Sequence, residues 1–373
     1  MSILTRKEFL QASINSLSAI GIYGIWPLYT NNVFASNYRT ALHWKTIDIN
    51  TVQCNLCPNQ CTLTNGNRGL CKARQCIDGK LYSLVYGRIA AYHIDPIEKK
   101  PLYHFLPGKE ALSVATAGCN LSCKFCQNWQ LSQSQPEELD SRYITPEQLV
   151  KEAKENKTPV IAFTYNEPSI QYEYIYDTVQ LAKKHSIACV IISNGYLNKN
   201  ASQMLYPLLN AIKIDFKAYS QKFYSEICGG NLSPVLANIE LAKKKNVWLE
   251  LVNLVIPTLN DNPDDIKAMA RFIKTHCGNT TPLHFTRFYP IYKLKNIPPT
   301  PVSTLERCRE IALAEGLKYV YIGNVPGHTA NNTYCHNCGK PVIERSGFYT
   351  TTNILKAGKC PYCNTAIPGI WTL

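Results

Sequence analysis

Long hydrophobic runs are scarce in this 373-residue chain. The one apolar stretch of note, Leu17 to Leu28, is interrupted by Pro27 and is short for a transmembrane helix. Internal repeats and low-complexity tracts are absent, and nothing in the composition marks intrinsic disorder. Acidic residues are few, 26 against 39 basic ones, which leaves a net charge of +13. The excess lies in short runs such as Lys99-Lys100, Lys183-Lys184 and Lys243-Lys244-Lys245. Each run adjoins apolar helical residues and reads as a solvated helix face. A basic surface can also attract an acidic partner or nucleic acid, but no DNA- or RNA-binding motif accompanies it.

What the chain does have is cysteine, sixteen in all. Eleven fall into three tight groups: Cys54, Cys57, Cys61 and Cys71; Cys119, Cys123 and Cys126; and Cys335, Cys338, Cys360 and Cys363. Loops of the C-x2-C and C-x3-C kind favour binding a metal over forming disulfides, and their thiolates need a reducing environment. The ungrouped Cys76, Cys189, Cys228, Cys277 and Cys308 read as small buried apolar residues.

From about residue 111 the pattern is regular. Strands are expected over 112–116, 160–164, 188–193, 211–216, 247–256 and 283–288. Amphipathic helical segments lie between them, over 145–156, 170–185, 234–245 and 263–276. Strand–helix alternation with near-continuously apolar strands indicates a parallel sheet covered by helices. Six units fit a partial (β/α)6 barrel; a doubly wound open sheet is the competing arrangement. Polar residues cluster just past the strand ends, where α/β barrels assemble their chemistry.

The sharpest signal is Cys119-Asn-Leu-Ser-Cys123-Lys-Phe-Cys126, directly after the first strand. Three thiolates on one loop can hold three irons of a [4Fe–4S] cube, whereas electron-transfer clusters take four cysteines. The fourth iron stays open, here for the amino and carboxylate groups of S-adenosylmethionine. A reduced cluster can then pass one electron into the sulfonium, releasing methionine and a 5′-deoxyadenosyl radical. A structural metal site completed by a distant cysteine is the bland alternative.

C-x3-C-x-Phe-C after a strand is the radical S-adenosylmethionine (radical SAM) signature. From Gln53 to Trp371 the chain resembles the radical SAM enzyme of the AmmeMemoRadiSam system, a group related to the pyruvate formate-lyase activating enzymes. The resemblance runs through Cys54-Asn-Leu-Cys57-Pro58, Asp95-Pro-Ile-Glu-Lys-Lys-Pro-Leu102, Thr116-Ala-Gly-Cys-Asn120, Thr164-Tyr-Asn-Glu-Pro168, Ser193-Asn-Gly195, Lys213-Ile-Asp-Phe-Lys217, Asn253-Leu-Val-Ile-Pro257 and Arg287-Phe-Tyr-Pro290. It implies an enzyme that abstracts hydrogen from a substrate the sequence does not identify, which can be a protein. It also implies an electron donor such as flavodoxin or ferredoxin, and partners of the Memo-like and AMMECR-like kinds. Activation of a glycyl-radical protein is the second enzymatic reading. A zinc-ribbon nucleic-acid-binding protein is the reading from another class, and it leaves the three-cysteine loop unexplained.

The resemblance also suggests contacts to S-adenosylmethionine. Glu167 stands where the family carries Gly-Gly-Glu-Pro, although Tyr165-Asn166 replace the glycines; capping the next helix is its structural alternative. Ser193 and Asn194 match the turn that approaches the ribose or the methionine carboxylate, or form a plain Asn-Gly turn. Asp215 and Lys217 match an Asp-x-Lys pair near the methionine moiety, and a rim ion pair is the alternative. Arg287 is a further candidate for the same anion. On the fourth strand Asp215 and Lys217 share one face, opposite Ile212, Ile214 and Phe216.

Two modules flank the barrel. Cys335-His-Asn-Cys338 and Cys360-Pro-Tyr-Cys363 have zinc-ribbon spacing, with His336 expected to point outward. Cys54, Cys57, Cys61 and Cys71 hold zinc by preference, or a second [4Fe–4S] cluster. The expected organisation is a candidate signal or anchor segment over 1–35, an N-terminal Cys-cluster module over 36–110, a radical SAM barrel over 111–326 and a zinc-ribbon-like module over 327–373. The chemistry is cytoplasmic. A degenerate twin-arginine-like start, Thr5-Arg6-Lys7-Glu8-Phe9-Leu10 with a cleavage-like Val33-Phe34-Ala35, points instead toward membrane association or export.

Overall fold

The computed structural model describes residues 38–373. The signal-like segment expected over 1–35 lies outside the described residues. Among the described residues, no helix is long and apolar enough to cross a membrane.

One eight-stranded sheet dominates. Its strands are β1 (Ala91–Pro96), β2 (Glu110–Ala115), β3 (Val160–Phe163), β4 (Ala188–Ser193), β5 (Ala211–Asp215), β6 (Trp248–Val255), β7 (Leu283–Arg287) and β8 (Val320–Gly323). Their spatial order follows the chain order without reversal, and every pair from β2 to β8 is parallel. A doubly wound sheet would reverse its order at a switch point. The chain is therefore an open, barrel-like α/β fold. The six expected strands are all present, and two further strands extend the sheet: β8 at one edge and β1, antiparallel, at the other.

The covering helices are α1 (Pro146–Glu155), α2 (Tyr172–Lys183), α3 (Lys199–Leu205), α4 (Leu232–Lys244), α5 (Pro263–Cys277) and α6 (Val302–Ala314). Local chemistry sets their starts. Thr145 and Gln148 close a reciprocal capping box ahead of α1, with Pro146 in its first turn. Asn262 accepts the Asp264 amide to open α5.

The two faces of the sheet differ. Ile212, Ile214 and Phe216 are fully buried against the helices, as strand parity predicts. Inside the barrel, small residues (Ala111, Ala162, Ala188 and Ala211) leave room for a plug formed by Leu102, Phe105 and Leu106. Glu250 anchors that plug. Its buried carboxylate accepts the Tyr103 and His104 amides at 2.9 and 2.8 Å, the Trp248 indole at 3.0 Å and His284 Nε2 at 2.8 Å. One end of the barrel is therefore sealed, and the C-terminal strand ends are left open.

The flanking segments are small antiparallel sheets. Trp44–Asp48, Thr51–Cys54 and Thr62–Thr64 form one, and Arg39–Thr40, Arg74–Ile77 and Lys80–Ser83 form another. At the C-terminus, Thr333–Tyr334, Pro341–Ser346 and Tyr349–Asn353 form a third. The apolar side of this last sheet is covered: Val342, Ile343 and Ile367 share a core with Tyr103, Tyr319 and Tyr321 of the barrel.

Candidate active site

The loop after β2 carries Cys119, Cys123 and Cys126. Two glycines allow its path. A Cβ on Gly118, at φ +94°, would lie 2.2 Å from the Cys71 carbonyl oxygen, and one on Gly229, at φ +75°, would meet Ser122 Oγ at 2.4 Å. The loop is also tied by backbone bonds from Ser122 to Cys228 and from Lys124 to Ile227, both 2.9 Å. The three thiols line a cavity of about 390 Å³ at the open end of the barrel.

Glu167, Asn194, Asp215 and Lys217 line the same cavity. Glu167 both caps and organises. Its carboxylate accepts the Ser169 amide at 3.0 Å, Ser193 Oγ at 2.8 Å and the Asn194 amide at 2.7 Å. Ser193 is thus a buried strut behind Asn194 and does not itself line the cavity. Asn194 donates to Asn120 Oδ1 at 2.8 Å, which ties the β4 turn to the cysteine loop. Burial raises the Glu167 carboxyl above its ordinary range, despite the Asn194 and Ser169 amides. Burial also raises the Cys119 thiol well above its usual value, and the Glu167 charge adds to this.

Asp215 sits between two lysines. Lys213 Nζ donates to one oxygen, and Lys217 Nζ lies 3.3 Å from the other. Burial works against the Asp215 charge, yet Lys213 and Lys217 hold its carboxyl below the usual carboxylate range. Burial likewise opposes the Lys217 charge, but Asp215 and the Cys123 and Cys228 thiols hold the ammonium well above its usual value. Two cations against one carboxylate leave this wall locally positive. Asn166, beside it, donates to the Gly118 carbonyl at 2.9 Å, but its buried Oδ1 has no partner. A positive wall and an orphaned acceptor in one cavity match the carboxylate and ammonium of an amino-acid ligand.

Arg287 is not brought to this cavity. It donates to the Thr300 carbonyl at 2.8 Å and stacks over Tyr289 at 5.1 Å. Several contributors were missing from the sequence reading. Lys213 lines the cavity beside Asp215. Cys228 lies near Cys123 and draws that thiol down. Tyr165 holds φ +70°, so the chain keeps a glycine-like backbone where the family motif has glycine. Its hydroxyl bonds Asp95, which also accepts Lys99 and Lys100 at 2.6 Å each, and all three donors line the cavity. Burial lowers the Lys100 ammonium to about 8 although Asp95 supports it. Last, Phe348 reaches the cavity mouth from the C-terminal hairpin.

The other two thiol groups differ in kind. Cys335 and Cys363 sulfurs lie 3.6 Å apart, and those of Cys338 and Cys360 lie 3.7 Å apart. All four are within 4.8 Å of one another. Metal–sulfur bonds of about 2.3 Å in a tetrahedron put sulfurs roughly 3.75 Å apart, so this set is sized for one ion. The Thr365 hydroxyl, 3.3 Å from Cys363 Sγ, pulls that thiol down to about 5. His336 lies off the set and meets the Tyr319 hydroxyl at 2.7 Å. Cys54, Cys57, Cys61 and Cys71 line a separate small cavity.

Residues 113–273 match the Radical SAM superfamily. An uncharacterized protein of Methanocaldococcus jannaschii is 46% identical over 307 residues, 82% of this chain and 91% of that one. The chain belongs to the radical SAM superfamily. Its homologues include pyruvate formate-lyase activating enzymes. That of Clostridium pasteurianum is 24% identical over 42% of this chain and 66% of its own length. That of Escherichia coli K12 is 20% identical over 55% of this chain and 89% of its own. A solved radical SAM methyltransferase from Sphaerobacter thermophilus gives a TM-score of 0.48 at 14% identity, over 82% of this chain and 81% of that one.

Proposed function

We propose that Cys119, Cys123 and Cys126 hold a [4Fe–4S] cluster with S-adenosylmethionine at its open iron, and that the enzyme abstracts a hydrogen atom from its substrate. The observation that carries this reading is the convergence of three thiols, a positive wall and an unpartnered acceptor on one cavity. Bound together, the reduced cluster and S-adenosylmethionine supply a 5′-deoxyadenosyl radical.

The chain's own residues position and shield. Lys217, supported by Lys213, offers the methionine carboxylate a cation, and Asp215 keeps the wall from carrying two uncompensated charges. Asn166 Oδ1 accepts from the amino group. Glu167 acts chiefly through the Ser193–Asn194 turn that it holds. Ile192, Val252, Leu254 and Phe125 give the cavity apolar walls that limit water. Cys335, Cys338, Cys360 and Cys363 hold a structural zinc ion, which the sulfur spacing supports.

Anaerobic reconstitution followed by dithionite and S-adenosylmethionine tests the central claim. 5′-Deoxyadenosine is expected, and Cys119→Ala, Cys123→Ala or Cys126→Ala should abolish it. Deoxyadenosine formation that persists in the triple variant refutes the reading.

Activation of a glycyl-radical protein is a second reading, favoured by the named activities of the homologues. It requires a protein substrate and a low-potential reductant such as flavodoxin or ferredoxin. The resemblance to the AmmeMemoRadiSam enzyme supports Memo-like and AMMECR-like partners. A glycine-centred radical signal on a co-purifying protein would decide for the second reading.

A further inference from the structure

The N-terminal thiols have no part in the cavity just described, and their geometry separates them from the zinc-sized set. We infer that Cys54, Cys57, Cys61 and Cys71 bind a second, fully ligated [4Fe–4S] cluster rather than zinc, with Arg74 donating its Nε–H to it.

The two four-cysteine sets provide an internal ruler. In the C-terminal set all four sulfurs fall within 4.8 Å of one another, and among the described residues this is the one set that does so. The N-terminal thiols are as well ordered by backbone bonds. Cys54 N donates to the Cys61 carbonyl at 2.9 Å across a hairpin, and Lys72 N donates to Gly69 at 2.8 Å in the turn carrying Cys71. From the barrel, Asn198 Nδ2 grips the Asn55 and Cys57 carbonyls at 2.8 and 3.0 Å. Despite these ties, no three of the four sulfurs approach to the spacing one ion requires. They stand around a cavity instead. Gly69 lines it as well: a Cβ there would stand in van der Waals contact with the thiols, 3.7 Å from both Cys61 Sγ and Cys71 Sγ. Thiolates of a cubane stand apart in this way because each takes a different iron, whereas zinc gathers all four on one centre.

The second observation is Arg74, which lines the same cavity and is 1% exposed. Its terminal nitrogens are engaged, with the Leu42 carbonyl at 2.7 Å and Glu173 at 2.5 Å. Its buried Nε has no partner. A buried donor left unpaired is costly, and cluster sulfur is the acceptor that this position lacks. With four thiolates the group has no open iron, so it carries single electrons and does not bind substrate. It would lie beside the catalytic loop: Asn120, next to Cys119, lines its cavity and accepts from Asn59 Nδ2 at 2.8 Å.

The test is metal and sulfide content after anaerobic reconstitution of the full chain, together with electron paramagnetic resonance of the dithionite-reduced protein. In the Cys119→Ala/Cys123→Ala/Cys126→Ala variant, about four irons, about four sulfides and about one zinc per chain are expected. A reduced-cluster signal should accompany them, and adding Cys57→Ala should remove both iron and signal. No iron in the triple variant, with either one or two zincs per chain, overturns the inference. If that variant does not fold, the unmutated chain decides between about eight irons with one zinc and about four irons with two. Iron that survives the triple substitution but never exceeds about four in the unmutated chain supports this site and refutes the catalytic one, so the two failures are distinguishable. In the triple-variant background, Arg74→Lys should lower the midpoint potential of the remaining signal. An unchanged potential overturns the role given to Arg74.

Discussion

Replacing Lys217 by methionine isolates the contact on which the cavity's electrostatics depend. Methionine keeps an unbranched stem of similar reach, so the packing over Phe125, 5.5 Å from the ammonium, is largely retained. Asp215 is not stranded, because Lys213 still pairs with its other oxygen. The variant is therefore expected to fold and to load its cluster. The cavity loses one of two cations facing one carboxylate. A hydrogen bond to a charged group is worth about 1.5–3 kcal/mol, so S-adenosylmethionine should bind roughly 10- to 150-fold more weakly. Equilibrium binding to the reconstituted, unreduced protein measures this without any turnover. Arg287→Met serves as the control, since that guanidinium is committed to Thr300 and Tyr289 outside the cavity. Unchanged affinity in a folded, cluster-loaded Lys217→Met protein refutes the reasoning, and Lys213→Met then becomes the variant to measure. Equal losses in Lys217→Met and Arg287→Met would show that the effect is not local to the cavity.

Other perturbations separate structural from catalytic roles. Cys335→Ala or Cys360→Ala should release about one zinc per chain and lower the melting temperature while sparing deoxyadenosine formation, as metal analysis and thermal unfolding would show. Asp95→Asn removes the partner of Lys100, whose side chain is 2% exposed, and should cost about 3–5 kcal/mol in denaturant unfolding because a buried cation is left unpaired. Lys100 also gives a pH dependence of definite sign. Its folded pKa, about 8, lies below the ordinary lysine value, so between that value and about 10.4 the unfolded chain binds more protons. Its contribution therefore makes stability rise as pH increases from 8 toward 9.5. Unfolding curves of the parent and Lys100→Met proteins should diverge over that window, and parallel pH profiles would refute the assignment.

The barrel was legible because its strands are buried on both faces. Ala188–Ser193 reads as an almost continuous apolar run that no surface strand would carry, and in Ala211–Asp215 only Lys213 and Asp215 interrupt one. β8 and β1 escaped for opposite reasons. Val320–Gly323 is apolar but only four residues long, and Ala91–Pro96 is an edge strand whose His93 and Ile94 are exposed, so it lacks a clean apolar run. The site followed the same logic, unevenly applied. Period-two alternation put Asp215 and Lys217 on one face of β5, and it assigns Lys213 to that face as well. On β7 the same rule groups Arg287 with Leu283 and Phe285, which pack in the helix-side core, and turns His284 and Thr286 inward. Strand parity was thus enough to include Lys213 and to exclude Arg287. Other contributors had no such signal. Cys228 stands alone in the sequence, and only the turn back toward Ser122 brings its thiol to Cys123. A tyrosine at a left-handed position runs against backbone preference, so Tyr165 could not be assigned a glycine-like conformation from its identity. What holds it there is tertiary: its carbonyl accepts Asn128 at 2.8 Å, and its hydroxyl joins Asp95 and, through it, Lys100. The strained residue, the buried lysine and the cysteine loop thus form one connected network, and the site's geometry depends on contacts distant in the chain, Tyr165 being 37 residues from Asn128 and 70 from Asp95.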